Sequence, residues 1–175
     1  MRLVIAVTLM LCSVAAAETT QTGATALRRG VNALDLDGDG EGDAVIVAMH
    51  ELGNAHSALV TSFVRVGANA RWEIVPLRWK RGGEELSLRA VNGADCQLRD
   101  LRLVPSAKGF SLVVAERELG ESYADARPVT FRWLELAPDE PSASLVWREV
   151  RSSATTASYC DVGEAFAREL GLPAR

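Results

Sequence analysis

The stretch Asp35–Val47, DLDGDGEGDAVIV, sets four aspartates among glycines directly before a run of apolar residues. A tight polar bend that feeds an apolar run is how a buried strand begins. Asp35, Asp37, Asp39 and Asp43 follow the spacing D-x-D-x-D-G-x-x-D, with Gly40 at the sharp turn. Alternate side chains of such a loop converge on one point, and a hard cation such as Ca²⁺ takes about six to eight oxygens. Glu41, next after Gly40, offers its backbone carbonyl to the same point. Ile46 stands where an EF-hand would carry its bidentate glutamate, so the loop is not an EF-hand. The alternative is an acidic hairpin turn without an ion, held by Asx-type hydrogen bonds and glycine geometry. Crowded carboxylates repel one another without a counterion, which favours calcium in a structural role.

Outward from this loop the pattern has mostly a period of two. VNALDLD, AVIVAMHE, SALVTSFVRV, RWEIVPLRW, EELSLRAV, CQLRDLRLV, FSLVVAERE, VTFRWLEL and LVWREV all read as strands. VGANAR, KRGGEE, VNGAD, PSAKG and APDEPSAS between them carry turn chemistry. Short strands without long helical segments between them predict a mainly β protein, an antiparallel β-sandwich or curved sheet of about nine strands. Pro76 removes a ladder donor, so its strand is expected at an edge or bent. Broken alternation at Leu98, Arg99 and Asp100 implies a bulge or an exposed edge. Trp72, Trp79, Trp133 and Trp147 lie in strands, where packing is their default role. One short C-terminal helix is expected after Cys160: Asp161 as N-cap, Glu164 three residues on, Phe166 and Leu170 as an apolar pair, Gly171 as C-cap and Pro173 as terminator.

The N-terminal residues 1–17 have the order of a secretory signal: Arg2, an apolar run from Leu3 to Leu11, then Ala15-Ala16-Ala17. The run is too short to span a bilayer, which needs about 20 residues. Cleavage is expected after Ala17. Cys12 raises lipidation as an alternative, although Leu11 before it is bulky for that processing. Residues 18–30 read as a loose arm and residues 31–175 as one β-rich domain, long enough for a sizeable core. The expected location is periplasmic or secreted. The formal net charge of −4, with scattered arginines, argues against nucleic acid and against an anionic membrane surface, and no later segment suits a membrane span. Cys96 and Cys160 are the cysteines that remain, and in an exported chain one disulfide is their simplest use. Two free thiols are the alternative. Zinc is poorly served by isolated cysteines.

Catalytic motifs are thin. His50 and His56 flank ELGNA, and HELGN has Asn54 where a zincin needs its second histidine. GESYA at Gly120–Ala124 lacks the strand–turn–helix setting of a nucleophile elbow, and the serine β-lactamase motifs, the P-loop and G-x-G-x-x-G are missing. The expectation is a protein that is not an enzyme. A periplasmic metal-dependent hydrolase built on His50, His56 and acidic neighbours is the alternative.

The acidic loop resembles the calcium loops of FG-GAP (integrin-type propeller) repeats, where a strand follows at once. A single such loop excludes a propeller, which repeats its motif in every blade. Several blocks taken in order, DLDGDGEGDAVIVAMHELGNAHSALVTSFV, GADCQLRDLRL, ERELGESYADARPVTF and YCDVGEAF, resemble the carbapenem intrinsic-resistance (CarG-like) family. The resemblance runs from Val31 to about Gly171, and RWEIVPLRWKRGGEELSLRA lies outside the matching blocks. It implies a secreted or periplasmic protein that protects cells without hydrolysing the antibiotic. It draws attention to Asn54, Ala55 and His56 after the calcium-loop strand, and to Arg117, Gly120, Tyr123 and Asp125. Asn54, His56, Arg117, Tyr123 and Asp125 would form a binding surface or support the fold, with Arg117 able to pair with Asp125 across a hairpin. The expected partner is a cell-wall component or an envelope protein. A calcium-stabilised module of an envelope assembly and a homodimer remain open.

Overall fold

A computed structural model describes residues 23–53, 56–67, 71–92, 96–142 and 144–174. The expected signal, part of the arm, and Asn54 and Ala55 lie outside the described residues. The described chain forms eleven strands and one helix, in two sheets. β1 (Gly30–Leu34), β2 (Asp43–Glu51), β3 (Ser57–Gly67), β4 (Arg71–Ile74) and β7 (Leu88–Asn92) make the first sheet. Its centre is β3, which pairs β2 along its length, β7 along Ser57–Thr61 and β4 along Val64–Gly67. The second sheet has the order β6 (Glu84–Glu85), β5 (Leu77–Arg78), β11 (Ser144–Tyr159), β10 (Arg127–Asp139), β9 (Gly109–Glu116), β8 (Arg99–Ser106).

Strand number exceeds nine because two segments divide. Pro76 cannot continue a ladder, and the chain bends there: β4 belongs to the first sheet and β5 to the second, with the Pro76 carbonyl accepting from Trp147 N at 2.8 Å. EELSLRAV likewise splits into β6 and β7. The expected irregularity at Leu98–Asp100 takes the form of an edge. β8 pairs β9 in continuous register from Arg99↔Glu116 to Ser106↔Gly109, and the bulges lie between β10 and β11 instead.

The facing surfaces of the sheets share a core of Val45, Val47, Phe63, Leu77, Leu103, Leu112, Leu134 and Trp147, with Phe63 edge-on to Trp147 at 5.4 Å. α1 (Val162–Leu170) covers the other face of the second sheet, where Phe166 packs with Val113, Ala115 and Phe131. Coverage on both sides explains the unbroken apolar run Leu112–Ala115 in β9, all buried. Asp161 caps the helix, accepting from Gly163 N at 2.6 Å, and Gly171 closes it in the left-handed conformation. Glu164 pairs with Arg168 at 3.0 Å. Cys96 and Cys160 are joined, with Cα atoms 5.6 Å apart, fastening the start of α1 to the approach of β8. The described part of the arm is tied down: Thr25 N donates to the Leu103 carbonyl at 2.8 Å. Among the described residues no helix is long and apolar enough to cross a membrane.

Candidate functional site

The acidic loop links β1 to β2, closed by the pair Leu34↔Asp43. Its carboxylates first satisfy its own backbone. Asp35 accepts from Gly38 N at 2.8 Å and Gly40 N at 3.0 Å, Asp37 from Asp39 N at 3.2 Å, and Asp39 from Glu41 N at 2.7 Å. These Asx-type bonds bring Asp35, Asp37 and Asp39 together, each with a carboxylate oxygen within 4.8 Å of the others. Carboxylate oxygens keep further lone pairs after such bonds, so these three residues offer a hard-cation donor set. Asp43 stands outside that group. It is buried and accepts from Leu36 N and Val66 N, both at 3.2 Å, which fixes the start of β2 against the end of β3. Burial pushes its pKa upward, the two backbone bonds oppose that, and the fields of Asp37 and Asp39 add to it. Glu41 is exposed and supplies its N–H to Asp39.

The loop is docked on the β8–β9 turn. Phe110 N donates to the Leu36 carbonyl at 3.1 Å, and Gly109 sits at φ +75. A Cβ on Gly109 would lie 2.2 Å from Leu36 O, so no side chain fits. The acidic loop therefore joins the two sheets by backbone contact, which its sequence alone does not reveal.

The second cluster brings His56, from the connection between β2 and β3, to the loop between the end of β9 and the start of β10. His56 stacks on Tyr123, ring centroids 4.3 Å apart. Arg117, 7% exposed, donates from Nε to the Cys160 carbonyl at 2.5 Å, from Nη1 to the Glu118 carbonyl at 2.9 Å, and from Nη2 to the Tyr123 carbonyl. Burial lowers its pKa, opposed by the fields of Asp125 and Asp161. The expected Arg117–Asp125 pair is replaced by these carbonyl bonds. Asp125 instead accepts from Glu121 N at 2.6 Å and from Ser122 N and Oγ at 3.1 Å, which holds its pKa low, and its ion-pair partner is Arg127 at 3.9 Å. Gly120, at φ +72, lets the loop pass close to Asp125 and Arg127. One buried guanidinium thus ties the loop to the disulfide, and the loop presents Tyr123 to His56.

His50 is exposed on β2, and the three-aspartate cluster is the one group of potential metal ligands among the described residues, so neither histidine joins such a group. Reading the sequence also misses an arginine-lined cleft of about 630 Å³ beside the Arg117 loop, where β7, β8, β9 and β10 meet.

A model of the family "Carbapenem resistance protein CarG-like" matches residues 27–168. No curated protein matches the sequence. The crystal structure of CarG is similar in fold, with a TM-score of 0.69 and 23% sequence identity over 83% of this chain and 94% of that one. The family match spans both β-sheets, the acidic loop, the disulfide and most of α1, and on that footing the chain belongs to the CarG-like family.

Proposed function

We propose that this chain is an exported, non-enzymatic binding protein that protects the cell against carbapenems without hydrolysing them. The supporting observation is the Arg117–Tyr123–His56 cluster. Arg117 gives its guanidinium N–H groups to backbone carbonyls and His56 stacks on Tyr123, a fixed arrangement of the kind a recognition surface uses. Family membership supports the carbapenem connection, and the disulfide suits an oxidising compartment. Asp35, Asp37 and Asp39 would hold a structural Ca²⁺, supported by their convergence. The partner would be a cell-wall component or an envelope protein. Loss of the gene should raise sensitivity to cell-wall-active compounds, carbapenems above all. Unchanged sensitivity to every such compound would remove the protective role.

A homodimer or envelope assembly is the second reading, and the outward face of the first sheet favours it. Val31, Trp72 and Ile74 lie 56%, 56% and 52% exposed on that face, beside partly buried Ile46 and Val66. Light scattering on the purified chain separates monomer from dimer.

A further inference from the structure

We infer that the arginine-lined cleft is a binding site for a small organic anion presenting a carboxylate. The cleft, about 630 Å³, falls in the ordinary range for small-molecule sites. Arg81, Arg89, Arg99, Arg117, Arg127 and Arg132 line it, contributed by separate segments of the chain. The available acids do not neutralise them evenly. Glu116 is shared among Arg132 at 2.7 Å, Arg81 at 3.3 Å and Arg99 at 3.7 Å. Arg99 also forks onto Glu85 at 3.0 and 3.1 Å, and Arg132 reaches Glu149 at 3.0 Å. These pairs make a rigid, nearly neutral wall. Arg117 is committed to backbone carbonyls.

Two cations are left over. Among the described residues the one ion-pair partner of Arg127 is Asp125, at 3.9 Å, a carboxylate already accepting three hydrogen bonds. Arg89, exposed on β7, has no hydrogen-bond or ion-pair partner among the described residues. A guanidinium presents a planar fork that suits a carboxylate. Val91, Leu98 and Pro128 add apolar lining for the body of a small ligand. A long polyanion is disfavoured, because the chain is acidic overall and Glu116 and Glu118 lie in the same cleft.

This inference rests on the reading of the chain as a binding protein and names the ligand class. Two sources share the chemistry: the ring carboxylate of a carbapenem and the C-terminal carboxylate of a D-alanyl cell-wall peptide. Calorimetry on the mature chain at physiological salt would use an intact carbapenem, diacetyl-lysyl-D-alanyl-D-alanine, its C-terminal amide, and orthophosphate. One of the two carboxylate probes should bind saturably at one per chain, with Kd below about 1 mM, and the amide should not bind. Arg89→Ala with Arg127→Ala should weaken that binding at least about tenfold at an unchanged melting temperature. If the double variant melts early, Arg89→Gln alone serves as the reporter. Which carboxylate binds identifies the source. Lack of saturable binding by both, binding indifferent to the arginine variants, or phosphate binding tighter than either carboxylate would each overturn the inference. Binding without any change in drug sensitivity on gene loss would refute the protective role alone. Protection without binding would refute the cleft alone.

Discussion

Replacing Cys96 and Cys160 together by alanine isolates the contribution of the covalent link. The cysteines are 64 residues apart in sequence. In the chain-entropy picture, freeing a loop of that length adds about 4 kcal/mol of conformational freedom to the unfolded state. The folded side should change little, because the same junction is held by other bonds. Val162 N donates to the Gln97 carbonyl at 3.1 Å, Gln97 N to Asp161 Oδ2 at 3.0 Å, and Arg117 Nε to the Cys160 carbonyl at 2.5 Å. For a chain of this size, a loss of about 4 kcal/mol corresponds to a fall of roughly 8–16 °C in melting temperature. Thermal unfolding followed by circular dichroism, oxidised wild type against the double variant, reads the difference. The native far-ultraviolet spectrum should persist at low temperature in both. Cys96 is 8% exposed, so reductant should act slowly on the native protein and quickly once it opens. A double variant that melts within about 2 °C of wild type would mean that the disulfide does not carry this stability.

Further perturbations address the loop and the strand contacts. Gly109→Ala forces a side chain into the left-handed region and against the Leu36 carbonyl, so it should cost at least about 2 kcal/mol, read as a lowered urea midpoint. Calcium at about 100 times its Kd should raise stability by about 2.7 kcal/mol, and EDTA or Asp37→Asn should abolish the increment in a thermal-shift assay. Asp139 accepts from Arg78 Nη1 at 2.5 Å and Nη2 at 3.0 Å, which holds its pKa below the ordinary 3.8. A depressed carboxylate supports the fold above its unfolded pKa, and that support is lost as pH falls through the folded value. Stability should therefore drop below about pH 4, and Asp139→Asn should shrink the drop in pH-dependent melting curves.

What the sequence discloses follows the range of the interactions involved. α1 is legible nearly to its ends because Asp161, Phe166, Leu170, Gly171 and Pro173 act within one short segment. The β1–β2 hairpin is legible for the same reason, as glycines and aspartates signal the bend and the apolar run signals the strand. Strand pairing is different in kind. Nothing local to RWEIVPLRW says that its halves join separate sheets, and Leu112–Ala115 reads as one greasy run until α1 is found on the far side. Asp43 shares the loop's acidic spacing, yet burial and two backbone donors turn it away from its neighbours' cluster. The arginine cleft was hidden altogether. Arg81, Arg89, Arg99, Arg117, Arg127 and Arg132 are spread across a long stretch of the chain with no motif, and only β7, β8, β9 and β10 bring them together.

Protection without destruction of the drug separates a binding protein from a hydrolase. It is tested most directly by growing carbapenem-sensitive cells that export this chain and measuring the carbapenem left in the medium as they grow. Growth at an otherwise lethal dose with the drug concentration matching that of a cell-free control is the predicted result. Growth accompanied by disappearance of the drug, reversed by His56→Ala, would contradict it and point to a hydrolase.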